Sequence, residues 1–198
     1  MNQTESRAIR ARLFLWAGFG WHGILPGVFQ MPVLNIAPAT PGDGPEVSDL
    51  LLRSYSALLA PEYDAAVLAA ALPKITQARR SLLSCPTYFV ARQRGRVVGA
   101  GGWTHVTPFG RPGVAGVGHI RHVACDPRHL RQGVARAIMQ HSMDTARSAG
   151  VRLLCCLSTR NAVPFYRAMG FGAGAEVALQ LTPEVVFPAV EMRLGLGG

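Results

Sequence analysis

One segment, residues 121–150, most constrains what this chain can fold into. Its beginning, Arg121–Pro127, predicts a strand that stops at a proline. A positively charged loop with Gly133 follows, and apolar side chains then recur three and four residues apart from Val134 to Ala149, which predicts an amphipathic helix. Gly150 is expected to end that helix in the left-handed conformation. The segment therefore predicts a strand, a glycine loop and a helix in succession.

The start of the predicted helix is suited to binding an anion. The first N–H groups of a helix have no partner within it, and the helix dipole adds partial positive charge there. Gly133 allows a close approach to the backbone, and Ala135 adds little obstruction. Long-range attraction would come from three arginines: Arg128, Arg131 and Arg136. For an isolated Gly-x-Ala pattern, a glycine that only serves tight helix–strand packing is the alternative.

Two more elements follow the predicted helix. Val151–Leu157 is a nearly continuous apolar run, which is typical of a strand covered on both faces. A short helix is predicted next, with Asn161 as its N-cap, Pro164 in its first turn and Gly170 at its end. The order is therefore strand, glycine loop, helix, buried strand, short helix with a tyrosine, and Gly-Phe.

That order, with these residues, resembles the GNAT N-acetyltransferase superfamily, which moves an acetyl group from acetyl-CoA to an amine. The resemblance covers roughly residues 35–193 and is most specific between Val123 and Phe171. The family's loop motif is Arg or Gln, two residues, Gly, one residue, then Gly or Ala. Gly133 and Ala135 match its last two elements, whereas Leu130 stands where Arg or Gln is usual, with Arg131 as a nearby substitute.

The resemblance implies a cofactor site and a catalytic acid. The loop amides are expected to hold the CoA pyrophosphate, Asn161 to contact the CoA arm, and Tyr166 to protonate the departing thiolate. A backbone N–H at the end of the preceding strand is expected to polarise the thioester carbonyl. The expected cofactor-binding residues are Val123, Ala124, Cys125, Arg128, Arg131, Gln132, Gly133, Val134, Ala135, Arg136 and Asn161.

The catalytic base is expected on the strand before the loop. Many relatives carry a glutamate early in that strand, and counting back from Pro127 places His119 at the position. An imidazole titrates near neutral pH and can accept the proton of an amine directly or through water. His122 is a second candidate. A structural or exposed histidine is the alternative for both.

Length and composition favour one domain. With 198 residues, 49% of them hydrophobic and 16% charged, the chain can bury one sizeable core. We expect an α/β fold, with a GNAT-like mixed, mostly antiparallel central sheet flanked by helices on both faces. Residues 32–198 are expected to form this single acetyltransferase domain, and residues 1–31 an N-terminal extension that is loosely attached or disordered.

Charge and cysteine content bear on the partners. A net charge of +9 predicts a polyanionic partner, which nucleic acid, an anionic membrane or the phosphates of CoA could each satisfy. Lys74 is the only lysine, so a dedicated polylysine arm for nucleic acid is not evident. We expect a cytoplasmic protein without a metal site, because the cysteines lack zinc-ligand spacing and appear as reduced core residues: Cys85, Cys125, Cys155 and Cys156.

The remaining patterns predict one short strand, two helices, a hairpin and a terminal strand pair. Pro73 is expected to stop the second of these helices, and Pro188 implies an edge or a bulge. The predicted elements are Val33–Ala37, Val47–Leu59, Asp64–Leu72, Tyr88–Arg92, Arg96–His105, Val177–Leu181 and Val185–Leu194.

The sequence thus predicts an N-acetyltransferase that transfers the acetyl group of acetyl-CoA directly to a primary amine of a small molecule or peptide. One alternative is a catalytically weak acyl-CoA-binding or regulatory module, supported by Leu130 and the missing glutamate. A basic nucleic-acid-binding protein is the other, although a helix-turn-helix pattern and zinc ligands are lacking. We expect no nucleic-acid or membrane partner, and a homodimer stays open.

Overall fold

A computed structural model of the chain describes residues 33–108 and 110–197. The expected N-terminal extension, residues 1–31, lies outside the described residues. The strands are β1 (Asn35–Pro38), β2 (Tyr88–Gln93), β3 (Arg96–Thr104), β4 (Val117–Cys125), β5 (Leu153–Ser158), β6 (Gly172–Thr182) and β7 (Val185–Gly195). The helices are α1 (Gly44–Leu59), α2 (Ala65–Ile75), α3 (Arg80–Leu83), α4 (Val134–Ser148) and α5 (Val163–Ala168).

All seven strands belong to one sheet, in the order β1-β2-β3-β4-β5-β7-β6. Neighbouring strands are antiparallel except for β4 and β5, which are parallel. The connection between the parallel pair contains α4, as a crossover between parallel strands requires. The mixed, mostly antiparallel sheet expected from the sequence is confirmed.

Apolar clusters lie on both faces of this sheet. On the face that we call the α4 face, Met139 and Met143 pack with Trp103 of β3 and with Tyr166 of α5. On the opposite, α1 face, apolar residues of α1 and α3 pack with Tyr88, Val90 and Ala100 of the sheet. Another cluster joins α2 to Phe187 of β7. Because both faces carry buried apolar side chains, the central strands are covered on each side.

Glycines in β3 let α4 lie close to the sheet. A Cβ atom at Gly99 would lie 2.6 Å from a methyl carbon of Val134 and 2.7 Å from one of Ile138. At Gly101 it would lie 2.9 Å from a Val123 methyl carbon. Contacts this short do not occur between real atoms, so a larger residue would force the first turn of α4 away. These glycines therefore allow side chains of α4 to contact the β3 backbone directly.

The sheet opens at its centre. β4 and β5 pair over only three residues of each strand, and the last pair joins His119 to Cys155. Beyond that pair, β4 continues beside β3 to Cys125, whereas β5 continues beside β7 to Ser158. The two strands therefore diverge, and side chains from both faces can reach the gap between them.

Some boundaries differ from the sequence-based expectation. Pro73 does not stop α2, which ends at Ile75, because a proline in the last turn disturbs only the preceding turn. β7 is an inner strand, yet its pairing with β5 ends at Val190, so at Pro188 only β6 is its neighbour. The short helix α3 was not predicted, since its single turn is too brief for a periodic pattern.

Candidate active site

The loop between β4 and α4 leaves backbone N–H groups open at a helix start. Gly133 occupies the N-cap position of α4 with φ 83° and ψ 0°, in the left-handed region that favours glycine. A Cβ atom there would meet no atom within 4 Å, so the space beside it is open. The N–H groups of Val134, Ala135 and Arg136 have no acceptor within the helix. This geometry can hold a phosphate.

A buried carboxylate, Asp126, holds this loop in shape. It is 1% exposed and accepts hydrogen bonds from the backbone N–H of Arg128 (2.9 Å) and from its guanidinium Nε and Nη2 (3.0 and 2.8 Å). Arg53 of α1 adds a bond of 3.3 Å. The hydrogen bonds from Arg128 are the main reason that the pKa of Asp126 lies well below its ordinary value. The loop is thereby tied to α1.

Sequence reasoning missed Asp126, although Asp-Pro at the end of a strand is a recognisable turn signal. It also treated Arg128 as one of three arginines that attract an anion. In the structure all three arginines are exposed, but the Arg128 guanidinium is bound to Asp126. Gln132 donates a hydrogen bond to the carbonyl oxygen of Arg128 (3.2 Å) and closes the turn.

A β-bulge marks the β4 side of the central gap. Two residues, His122 and Val123, lie opposite Gly101, because the pairing shifts between Ala100 and Gly102 of β3. His122 adopts φ 40°, which is uncommon for a residue other than glycine. A bulge leaves a residue outside the regular hydrogen-bond ladder. The bulge therefore interrupts the regular pairing of β4 with β3 on the strand that borders the gap.

Tyr166 of α5 lies beside this gap on the α4 face. Its ring is 5% exposed and packs edge-on against Phe165 and Phe171, with centroids 5.2 and 5.4 Å away. Its hydroxyl lies close enough to the thiol of Cys156 on β5 for each group to affect the pKa of the other. Burial raises the pKa of Tyr166 well above its ordinary value, so the hydroxyl keeps its proton. Tyr166 therefore has a packing role and keeps a protonated hydroxyl beside β5, and it is not among the residues that line a cavity next to His119.

Asn161 does not cap α5, contrary to the expectation. It lies in a 3₁₀ turn, Arg160–Ala162, and α5 begins only at Val163, so the short turn displaces the cap position to Ala162. The side-chain Oδ1 of Asn161 is buried and has no hydrogen-bond partner among the described residues. Leaving such an oxygen without a donor costs about 1–3 kcal/mol. A ligand N–H would satisfy it.

The turn that carries Asn161 is fixed by its neighbour Arg160. The Arg160 guanidinium donates to both carboxylate oxygens of Glu176 (2.8 and 2.6 Å), and its backbone N–H donates to the Tyr63 hydroxyl (2.9 Å). Tyr63 in turn donates to the carbonyl oxygen of Pro188 (3.0 Å) and stacks on Phe187. The turn is therefore tied to the connection between α1 and α2 and to both terminal strands.

A cavity of about 280 Å³ lies where β4 and β5 begin to diverge. His119 is half-buried in its wall, and burial, followed by the nearby charge of Arg121, lowers the pKa of this imidazole. A neutral imidazole at neutral pH has a lone pair that can accept a proton. The wall also holds an ion pair that the sequence did not reveal, Arg193 with Glu191. The lining residues are Thr107, Pro108, His119, Cys155, Cys156, Leu157, Glu191, Met192 and Arg193.

The second histidine candidate is placed differently. His122 lies in the bulge and is not among the residues that line the cavity. Burial, followed by the charges of Arg121 and Arg79, lowers its pKa to about 4. Cys125 donates its thiol to the carbonyl oxygens of Asp126 and His129, and burial raises its pKa to about 11. Its thiol therefore stays protonated and serves the structure.

Comparison with known proteins agrees with this geometry. The sequence model of the acetyltransferase (GNAT) family matches residues 46–171. Glucosamine 6-phosphate N-acetyltransferase from Trypanosoma brucei brucei is 32% identical over 102 residues, which make up 52% of this chain and 69% of that protein.

Solved structures with low sequence identity share the fold. A GCN5-related N-acetyltransferase from Rhodopseudomonas palustris matches with a TM-score of 0.69 at 18% identity, over 83% of this chain and 95% of that chain. PaiA N-acetyltransferase from Thermoplasma acidophilum, in complex with coenzyme A, matches with a TM-score of 0.63 at 11% identity, over 82% and 99%. A GNAT family acetyltransferase from Brucella melitensis, in complex with acetyl-CoA, gives 0.55 at 18%, over 84% and 90%.

The family match and the shared fold together place this chain among the acyltransferases of the N-acetyltransferase class. The family match covers more than half of the residues, and this chain belongs to the GNAT acetyltransferase family. The family, the fold and the class of enzyme expected from the sequence are confirmed. In the part of the chain that the structure describes, the helices are too short or too polar to cross a bilayer.

Proposed function

We propose that this protein moves the acetyl group of acetyl-CoA directly to a primary amine of a small molecule or peptide. The observation that carries the proposal is the position of two proton-transfer groups at the central gap. His119 lies where β4 and β5 part, and Tyr166 lies beside β5 on the other face. A base and an acid on opposite sides of one opening suit an amine and a thioester that meet there.

Three features of the chain fit CoA. The open N–H groups after Gly133 suit its pyrophosphate, and the exposed Arg131 and Arg136 supply positive charge beside them. The unpartnered Oδ1 of Asn161 suits an amide N–H of the CoA arm. CoA carries its acyl group as a thioester, which activates the acetyl carbon toward an amine.

Each residue then has a defined task. His119 accepts the proton that the amine loses as it attacks the acetyl carbon. A backbone N–H at the bulge, near residues 123–125, stabilises the negative charge that develops on the carbonyl oxygen. Tyr166 donates its proton to the departing sulfur as the carbon–sulfur bond breaks. Asp126 and Arg53 maintain the shape of the loop that holds the pyrophosphate.

The proposal is tested by a screen of amines with acetyl-CoA, in which the release of the CoA thiol is measured. The panel should contain amino sugars, amino acids, polyamines and peptides, and glucosamine 6-phosphate, the compound in the name of the Trypanosoma brucei brucei relative. Thiol release that depends on one class of amine, and is reduced in Tyr166→Phe, is expected. Tight binding of acetyl-CoA without turnover of any amine would instead favour an acyl-CoA-binding module.

A further inference from the structure

One arginine on the α1 face has no carboxylate partner. Among the described residues, four arginines are partly buried: Arg53, Arg92, Arg121 and Arg160. Three of them form ion pairs with aspartate or glutamate. The fourth, Arg121, donates only to the hydroxyl of Thr104 (3.2 Å) and forms no ion pair with a described residue. A partly buried charge usually has an opposite charge beside it.

A second positive charge lies near Arg121. Arg79, the residue before α3, is close enough for its charge to lower the pKa of both Arg121 and His122. For Arg121 burial is the larger cause. No described carboxylate acts on either Arg121 or His122. Arg121 is partly buried and Arg79 is exposed. Two neighbouring guanidinium groups that repel each other would be stabilised by an anion between them.

The site lies beside the proposed base. In β4, His119 pairs with Thr104 and Arg121 pairs with Gly102, so the two side chains are two residues apart and project from the same face. Residues two apart in a strand are separated by about 6.5 Å, a distance that a small molecule spans. The Thr104 hydroxyl, which accepts the hydrogen bond from Arg121, also donates to the carbonyl oxygen of Val106. Val106 lies at the start of the loop that lines the cavity.

We propose that Arg121 and Arg79 bind an anionic group of the acceptor, so that the acceptor is a small primary amine that also carries a phosphate or a carboxylate. This proposal rests on the proposed function and specifies its substrate class. The amine would lie at His119 and the anion at the two guanidinium groups. Guanidinium groups suit both kinds of anion, because their planar N–H fork matches two oxygens at once.

The test measures binding, so that it does not depend on turnover. Calorimetric titrations of the CoA-saturated full-length protein would compare each anionic amine with its neutral partner: glucosamine 6-phosphate with glucosamine, and an amino acid with its amide. Glucosamine 6-phosphate or the amino acid should bind about 10- to 100-fold more tightly than its neutral partner, the range expected for charge-assisted hydrogen bonds. Whichever pair shows the larger difference identifies phosphate or carboxylate as the group bound.

Arg121→Gln should remove most of that preference and reduce the affinity for the neutral partner far less. Arg121→Lys keeps the positive charge but loses the planar pair of N–H donors, and it should retain part of the preference for the anionic amine. Arg80→Gln is the matched control, because Arg80 adjoins Arg79, is exposed like it, and is not among the charges that lower the pKa of Arg121 or His122. Equal affinity of the wild-type protein for both members of every pair would overturn the proposal, as would a preference that survives in Arg121→Gln. If anionic amines bind selectively but none is acetylated, the proposed function fails while this binding site stands.

Discussion

The loop of residues 126–136 takes its shape mainly from neighbours in sequence, with one added bond from Arg53, whereas the cavity beside His119 takes its lining from three strands and a loop. In the first region, Asp126 binds Arg128 two residues away, and Gly133 is the N-cap residue of α4. In the second, the side chains come from positions between Thr107 and Arg193. Residues close in sequence can hold an invariant ligand such as CoA, and a lining from distant strands can change with the acceptor. The loop therefore depends mainly on local sequence, whereas the cavity depends on how the strands assemble.

Removal of the proposed base should have the largest effect. His119→Gln should lower kcat/KM about 10²- to 10⁴-fold, the usual contribution of a general base. In the wild-type enzyme the rate should fall as the pH falls through the pKa of His119. Because burial and Arg121 lower that pKa, this decline should lie at a lower pH than for free histidine. A pH–rate profile measures it.

His122→Gln provides the comparison for this first prediction. It should leave the acid side of the profile in place, since His122 does not line the cavity. The assignment of the base would be reversed if His122→Gln abolished the fall in rate at low pH while His119→Gln left kcat/KM and the pH profile unchanged.

The proposed acid should contribute the next largest effect. Tyr166→Phe keeps the ring among Phe165 and Phe171 but removes the proton. Steady-state kinetics should show kcat reduced about 10- to 1,000-fold with CoA affinity nearly preserved, because water can partly replace a general acid. An enzyme at full speed would show that the thiolate leaves without this hydroxyl. A protein that does not fold would show that the hydroxyl of Tyr166 serves the core instead.

A pair of glycine variants can separate binding from backbone strain. Gly133 and Gly150 both have positive φ, 83° and 75°, and a Cβ atom at either would meet nothing within 4 Å. Alanine should therefore destabilise both positions alike, by about 1–2 kcal/mol. Only Gly133→Ala places a methyl group in the expected phosphate site. CoA affinity, measured by calorimetry, should fall about 10- to 100-fold in that variant alone, because bonds to a charged phosphate are lost. Equal CoA affinity in both variants would remove the site from this loop.

The smallest effect on activity is expected at the residue that shapes the loop. Asp126→Asn should lower the free energy of unfolding by about 1.5–3 kcal/mol, since it weakens hydrogen bonds to a charged group, and should raise the KM for acetyl-CoA more than it lowers kcat. Because the folded-state pKa of Asp126 is lowered, its stabilisation is complete above the ordinary aspartate pKa and is lost as pH falls through the lowered value. Denaturant unfolding at several pH values measures this loss of stability. The free energy of unfolding of Asp126→Asn should not show the part of the pH dependence that Asp126 causes.

Asp144→Asn is the control for that variant. Asp144 forms an exposed ion pair with Arg147 on α4, and such pairs contribute about 0–1 kcal/mol. A change at Asp144 as large as that at Asp126 would mean that burial of the carboxylate is not the cause.

The elements with strong local signals were predictable from the sequence. α4 begins at Val134 as predicted, and Gly150 and Gly170 follow their helices with positive φ. Arg94 and Gly95 turn the predicted hairpin. These features depend on periodicity and on turn residues, which neighbouring positions determine. β6 extends further than predicted, because its first residues are glycine and alanine, which form strand only beside β7.

The site was only partly predictable, for a related reason. The glycine start of α4 is a local feature, and the structure has it at Gly133. Arg53 contacts Asp126, 73 positions later in the chain. Arg121 lies near Arg79 and has no carboxylate partner among the described residues. Both arrangements depend on tertiary contacts. The sequence predicts a capping role for Asn161 because asparagine favours that position. In the structure Asn161 lies inside the 3₁₀ turn that precedes α5, and Ala162 occupies the cap position.

Direct transfer at the central gap is tested most simply by following the acetyl group itself. Enzyme loaded with acetyl-CoA labelled in the acetyl carbon would be mixed with the acceptor found in the screen, quenched at short times and examined by mass spectrometry. The labelled amide should appear at the rate of CoA release, with no acetylated protein at any time. Labelled protein that forms before the amide, for example on Cys155 in the cavity wall, would contradict direct transfer.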